Sequence, residues 1–258
     1  MKTVVITGST RGIGFAMAES FLKRGNRVII SGRKDKSIKQ TVKELSKTYQ
    51  SDLIVGKTCD VSLYEDLQKL WDFSVGKFKP IDIWVNNAGI SNELNKLADI
   101  SAEEIKKVVE TNVLGEIYGT QVALKGFEAQ GFGAIYNMEG MGAKKGRIVD
   151  GLSIYGATKS GLRFFNDAIA HEIKNGPILI GALLPGMMLT DMVTSQYNGK
   201  PEDWKEVEGI FKAIAEDVNV VADWLVEKMI ANQKNGVRFE FSNTFKILIR
   251  MIKMRLKK

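Results

Sequence analysis

Short runs of β-branched and aliphatic residues recur at positions 4–6, 27–30, 53–55, 81–85, 134–137 and 178–184, and each predicts a strand. Segments of helical length lie between them. Helices are predicted over residues 15–23 and 62–71, and one long helix from about Ser101 to Lys125 opens with the capping-box pattern Ser101-Ala102-Glu103-Glu104. Another starts near Asp217 and carries Val221, Trp224, Leu225 and Met229 on one face. A last strand is expected at 237–241. Beyond it Phe245, Leu248, Ile249, Ile252 and Leu256 recur at helical spacing, opposite Lys246, Arg250, Lys253 and Lys257.

Parallel neighbours cannot be joined by a tight turn, so helix-length crossovers between successive strands require a parallel sheet with helices on both faces. The expected fold is α/β, a Rossmann-like doubly wound parallel sheet. With 258 residues, 44% hydrophobic and 26% charged, only 4 Pro and no low-complexity run, the chain reads as one domain over residues 1–242. A basic amphipathic helix follows over residues 243–258. It is too short and too charged to span a bilayer, and its pattern suits an anionic membrane surface or packing against its own domain or a partner subunit.

The net charge of +7 raises the question of a polyanion partner. Six basic residues and no acids fall between 245 and 258, leaving 31 basic against 30 acidic residues elsewhere, a net of +1. No nucleic-acid face is therefore expected. A single Cys59 and a single His171 exclude a disulfide framework and argue against a Cys/His metal site or a Ser-His triad. Cys59 reads as a small buried hydrophobe and His171 as a surface residue. The first residues run directly into an apolar strand with no room for a secretory leader, so the expectation is a cytoplasmic protein, peripheral at a membrane surface if the tail binds one.

The first predicted strand ends in Thr7-Gly8-Ser9-Thr10-Arg11-Gly12-Ile13-Gly14 and opens directly into a helix. Glycines there allow a tight turn, let a pyrophosphate approach the backbone, and aim helix N–H groups at its charge. The second strand ends in Ser31-Gly32-Arg33-Lys34, without the carboxylate that an NAD site sets against ribose hydroxyls. Arg33, helped by Arg11 or Lys34, offers a guanidinium suited to a 2′-phosphate, so NADP(H) is the expected cofactor. Asp60-Val61 follows the third strand; Asp60 is placed to accept from an adenine amino group, to cap the next helix, or both.

Further motifs then occur in order: Asn86-Asn87-Ala88-Gly89, Asn112, Tyr155-Gly156-Ala157-Thr158-Lys159 and Pro185-Gly186-Met187-Met188-Leu189-Thr190. With the glycine loop and Asp60-Val61, the sequence resembles the short-chain dehydrogenase/reductase family over essentially its whole length. The resemblance implies that Asn87, Ala88 and Gly89 line the cofactor and that Pro185, Gly186, Met188 and Thr190 close over its nicotinamide end. It implies hydride transfer between nicotinamide and a small-molecule carbonyl or alcohol, and a homodimer or homotetramer. Such chemistry needs a positioned acid/base at the oxygen. Tyrosine, with a pKa of about 10, is a poor base alone; Lys159, one turn after Tyr155, favours its phenolate and can hold the nicotinamide ribose. Asn112 resembles the asparagine that holds a water behind the lysine.

One family feature is missing. A serine that hydrogen-bonds the substrate oxygen is expected about thirteen residues before the tyrosine, and the sequence there reads Tyr136-Asn137-Met138-Glu139-Gly140-Met141-Gly142-Ala143. Ser153 is not at the equivalent position. Backbone N–H groups of residues 140–143 are candidates for the missing donor, and Glu139 qualifies only if protonated. The Asn137-Met138-Glu139-Gly140 run, the 155–163 segment and Pro185-Gly186-Met187 look like the chlorophyll b reductase branch, which implies a carbonyl on a bulky hydrophobic substrate. The competing reading is a nucleotide-sensing or scaffold protein that keeps the fold and has lost efficient catalysis.

Overall fold

The first predicted strand is β1 (Thr3–Ile6), and the glycine-rich turn leads into α1 (Gly12–Lys23), three residues earlier than periodicity alone placed it. The computed structural model describes residues 1–143 and 148–241. The chain continues through β2 (Arg27–Gly32), α2 (Asp35–Leu45), β3 (Ile54–Thr58), α3 (Tyr64–Lys77) and β4 (Ile83–Asn86). After a long loop come α4 (Ala102–Val109), α5 (Gly115–Gln130), β5 (Gly133–Met138), α6 (Ser153–Glu172) and β6 (Ile178–Leu184). A short α7 (Asp191–Thr194), then α8 (Pro201–Ile214), α9 (Val218–Ala231) and β7 (Val237–Glu240) complete the described chain. The tail reading at 243–258 lies outside the described residues.

The seven strands form one parallel sheet in the order β3-β2-β1-β4-β5-β6-β7. Alternation along each strand divides two cores. Val4, Ile6, Val28, Ile30, Ile83 and Val85 face Met17 and Phe21 of α1 and Val221, Leu225 and Met229 of α9. Val5, Ile29, Trp84 and Ile135 face Leu70 and Trp71 of α3 and Phe127 of α5. Trp71 meets Phe127 edge-to-face at 5.1 Å. The architecture is the expected doubly wound one, and the strand order reverses between β1 and β4, where such sheets open a crevice at their carboxyl ends.

The single helix expected over 101–125 is two. Ser101 does cap α4, its Oγ accepting from Glu104 N–H at 3.1 Å, but residues Glu110–Leu114 form a π-helical turn that separates α4 from α5. Such a turn widens the helix by one residue per turn and re-aims its side chains, often beside a functional site. Asp217 caps α9, accepting from Asn219 and Val220 N–H. Among the described residues no helix is long and apolar enough to cross a membrane.

Candidate active site

The crevice begins at the β1–α1 turn. Gly8 and Gly12 take φ of +64° and +57°, a left-handed backbone that favours glycine. A Cβ on Gly8 would stand 2.9 Å from Ala88 Cα, and one on Gly14 would stand 2.6 Å from the Gly8 carbonyl oxygen. At Gly12 an added Cβ would meet nothing within 4 Å, so there the turn faces open space. Helix α1 has no side-chain cap and no acid in its first turn, which leaves its N–H groups for an anion. Thr7 ties this turn to the end of β4: its Oγ1 accepts from the N–H groups of Asn87 and Ala88 at 3.0 Å, while Asn87 Nδ2 donates to the Thr7 and Gly8 carbonyls. Asn87 Oδ1 is buried with no hydrogen-bond partner among the described residues.

Other predicted cofactor residues sort by position. Ser9 is fully buried, donating to Ile6 O at 2.8 Å and accepting from Ser31 N–H at 2.9 Å, so its side chain braces β1 against β2. Gly32 closes β2 against Thr10, whose Cγ2 would lie 3.1 Å from an added Cβ. Arg33 and Lys34 are exposed just beyond, and their side chains have no partner among the described residues. Arg11 instead reaches Asp191 at the start of α7, at 3.3 Å. The helix-cap reading of Asp60 is corrected: its Oδ1 accepts from Ser62 N–H and Oγ–H at 3.0 and 2.7 Å, and α3 begins later, after Leu63. Val61 is buried against Gly115. Ile13 packs on the core beneath the turn. A tight glycine turn, an uncapped helix start, an unpartnered amide oxygen and free cations past β2 fit a phosphate-bearing dinucleotide.

Tyr155 and Lys159 lie in the first two turns of α6. A Cβ on Gly140 would stand 2.5 Å from the Tyr155 hydroxyl, so the end of β5 approaches that oxygen closely. The ring is partly exposed, but its hydroxyl end is enclosed, and burial pushes the phenol up to about 12. Lys159 is 4% exposed and donates from Nζ to Met138 O at 2.6 Å. Burial lowers its pKa, opposed by the negative charges of Glu116 and Glu139. Asn112, in the π turn and 1% exposed, holds both backbone groups of Ile90: its Oδ1 accepts from Ile90 N–H and its Nδ2 donates to Ile90 O, both at 2.9 Å. Nδ2 also lies 3.2 Å from Thr158 Oγ1. Gly89 lies against the same amide. The three residues expected to act together are thus brought to one place.

Glu139 points elsewhere. Its fully buried carboxylate accepts from Arg238 of β7, Nε to Oε2 at 2.9 Å and Nη2 to Oε1 at 2.8 Å, and Asn166 Nδ2 adds a bond at 3.3 Å. A doubly bonded guanidinium corrects the reading of Glu139 as a donor to substrate. Of the backbone donors considered there, Ala143 N–H is committed to Gly140 O at 3.1 Å. Ser153 is exposed at the start of α6. On the opposite wall Pro185 is buried, Gly186 turns the chain with φ +77°, and Met188 bridges to Glu216. Thr190 precedes α7 and accepts from Val193 N–H.

Sequence reasoning missed three supports. Asn92 Oδ1 accepts from Tyr155 N–H at 3.2 Å and its Nδ2 donates to Gly151 O at 2.7 Å, pinning the start of α6. Asn86, Asn137 and Asn166 form a buried amide chain, with bonds of 2.8 and 2.6 Å, that ends on Glu139. Glu116 lies buried one turn past Asn112. Asn86 and Asn137 were visible only as motif letters, and no periodicity marks a buried polar residue.

The sequence model of the short chain dehydrogenase family matches residues 2–201. The chain belongs to the short-chain dehydrogenase family. That places it among oxidoreductases. It is 33% identical over 267 residues to a probable chlorophyll(ide) b reductase, chloroplastic, of Oryza sativa subsp. japonica, an alignment covering 97% of this chain and 52% of that protein. The chain therefore spans about half the length of that relative. A second chloroplastic chlorophyll(ide) b reductase from the same plant is 35% identical, covering 90% of this chain and 67% of its own. Among solved structures, a variant of actinorhodin polyketide ketoreductase with NADPH superposes with a TM-score of 0.80 at 26% identity, covering 93% of this chain and 95% of the other.

Proposed function

We propose that this member of the family is an NADP(H)-dependent reductase acting on the carbonyl of a hydrophobic small molecule, with Tyr155 as the proton donor. The observation that carries the reading is the enclosed Tyr155 hydroxyl, held protonated by burial, with the buried Lys159 one turn behind it. A bound reduced nicotinamide supplies the hydride. Tyr155 donates its proton to the carbonyl oxygen, and the Lys159 ammonium stabilises the phenolate left behind. Asn112 holds Ile90 and Thr158 in place, which fixes the floor on which Lys159 stands. The N–H groups of α1 and the glycine turn at Gly8, Gly12 and Gly14 hold the pyrophosphate, with Asn87, Ala88 and Gly89 beside them. Arg33, exposed and unpaired among the described residues, takes the 2′-phosphate and makes the preference NADP(H).

A bulky apolar substrate is favoured by the name of the plant relatives and by an aromatic cluster fastened to the loop that pins Tyr155. Trp204 and Phe211 of α8 stack at 5.7 Å, with Tyr197 5.2 Å from Trp204, and no residue of α8 is fully buried. Leu94 N–H donates to Gln196 O and Gln196 Nε2 to Ser91 Oγ, so this segment is fastened to the loop that carries Asn92. We also propose a domain over residues 1–242 with a separate basic tail over 243–258, and a cytoplasmic homodimer or homotetramer; Phe164, 77% exposed on α6, supports assembly.

The deciding experiment is Tyr155→Phe, after a screen of hydrophobic carbonyl compounds by NADPH absorbance. The substitution keeps the ring and removes one proton, so turnover falls by about 10²-fold or more with NADPH affinity little changed. Full turnover in that variant refutes the mechanism. Absence of any NADPH-linked turnover in the unaltered protein favours the scaffold reading, which the absent serine keeps open.

A further inference from the structure

Glu116 is used by none of the chemistry above, yet it is a carboxylic acid 5% exposed in the wall of the site. It stands four residues after Asn112, about one turn along, and Asn112 itself reaches Thr158, the residue before Lys159. Its Oε1 has no hydrogen-bond partner among the described residues. A buried carboxyl oxygen with no donor is costly as an anion and is retained more easily as an acid. The ionisable groups bearing on it are Lys159 from α6 and Glu139 from the end of β5, and Asn166 of α6 contributes an amide. Glu139 is itself held by Arg238 of β7. From β4 comes the uncharged Asn86, which donates to the Glu116 backbone carbonyl at 3.5 Å. Along α5, Lys125 is exposed and turned to Tyr64 of α3.

We propose that Glu116 is a positioning residue that keeps the Lys159 ammonium charged inside its buried setting. Burial raises the Glu116 carboxyl, Lys159 opposes it, Glu139 adds to it and the Asn166 amide opposes it, and together they push it up to about 8. Below that pH the pair holds a neutral acid and an ammonium, and the whole field of Lys159 is available to the Tyr155 phenolate. Above it Glu116 is an anion. Its charge then resists loss of the Lys159 proton, which burial by itself makes easier.

The inference rests on the reductase reading for its use in turnover, and not for the coupling itself. The test is a ¹³C NMR titration of the carboxyl and lysine side chains in the full chain, without substrate, for the unaltered protein, Glu116→Gln and Glu116→Asp. A carboxyl resonance titrating near 8 that disappears in Glu116→Gln is expected, together with a shift of the Lys159 titration to lower pH. Glu116→Asp retains an acid and restores part of that shift, and serves also if the amide variant does not fold. An unchanged Lys159 titration in Glu116→Gln, or a Glu116 carboxyl that titrates in the ordinary carboxylate range, overturns the proposal. In turnover, the alkaline fall moves to lower pH in Glu116→Gln by about one pH unit, a tenfold change in proton affinity, with KM for NADPH unchanged; an unmoved fall also overturns it. If the unaltered protein turns over nothing, the reductase reading fails and the NMR titration still decides the coupling.

Discussion

A Cβ on Gly140 would stand 2.5 Å from the hydroxyl of Tyr155, so the chain just past β5 approaches that oxygen too closely for a side chain there. The family's serine is missing from the 136–143 stretch, and within it the backbone at Gly140 crowds the tyrosine. Gly140→Ser is therefore expected to collide with the enclosed hydroxyl end of Tyr155. Turnover should fall by about tenfold or more, with NADPH affinity within about twofold, because the pyrophosphate side is untouched. Steady-state kinetics and fluorescence titration of NADPH check it, and a serine variant more active than the unaltered protein would show that the glycine is only a loss.

Arg33 governs cofactor choice if its exposed guanidinium takes the 2′-phosphate. Arg33→Asp should weaken NADPH binding by about 1.5 to 3 kcal/mol, the range of hydrogen bonds to charged groups, and leave NADH equal or tighter. Isothermal titration with both cofactors reads this directly. An unchanged ratio would pass the role to Lys34 or Arg11.

The Glu139–Arg238 pair is expected to carry stability. Glu139 is fully buried and Arg238 23% exposed at its side chain, and the carboxylate also raises the Arg238 pKa by accepting its hydrogen bonds. Arg238→Ala leaves a buried carboxylate without its cation, at a cost of about 3 kcal/mol. Urea unfolding should show the loss, while NADPH affinity stays within about twofold because no cofactor contact is assigned to either residue. If turnover falls and stability holds, Glu139 belongs to the chemistry after all.

The tail at 243–258 is expected to bind vesicles of anionic phospholipid at low salt and release them as salt rises, since six cations and no acids fall within it. Sedimentation with and without the segment measures this. Protein that stays in the supernatant at low salt supports a helix packed on its own domain or on a second subunit.

The order of elements was determined by the sequence itself, because alternating apolar runs and helix-length crossovers leave a parallel sheet as the arrangement that satisfies every strand. The glycine turn after β1 was legible for the same kind of reason: glycines at Gly8, Gly12 and Gly14 act through local backbone geometry. Tyr155 and Lys159 could be paired by spacing on one helix. The tertiary structure decided what spacing cannot reach. Glu139 and Arg238 are 99 residues apart and meet only because β7 pairs beside β6, and that meeting turned a candidate donor into an ion pair. The π turn at Asn112 broke a helix whose capping and composition gave no sign of it, and Asn92 joined the site from a loop with no period at all. Burial of a polar group is a property of what surrounds it, so the buried Glu116 became visible only once the helices were packed against the sheet.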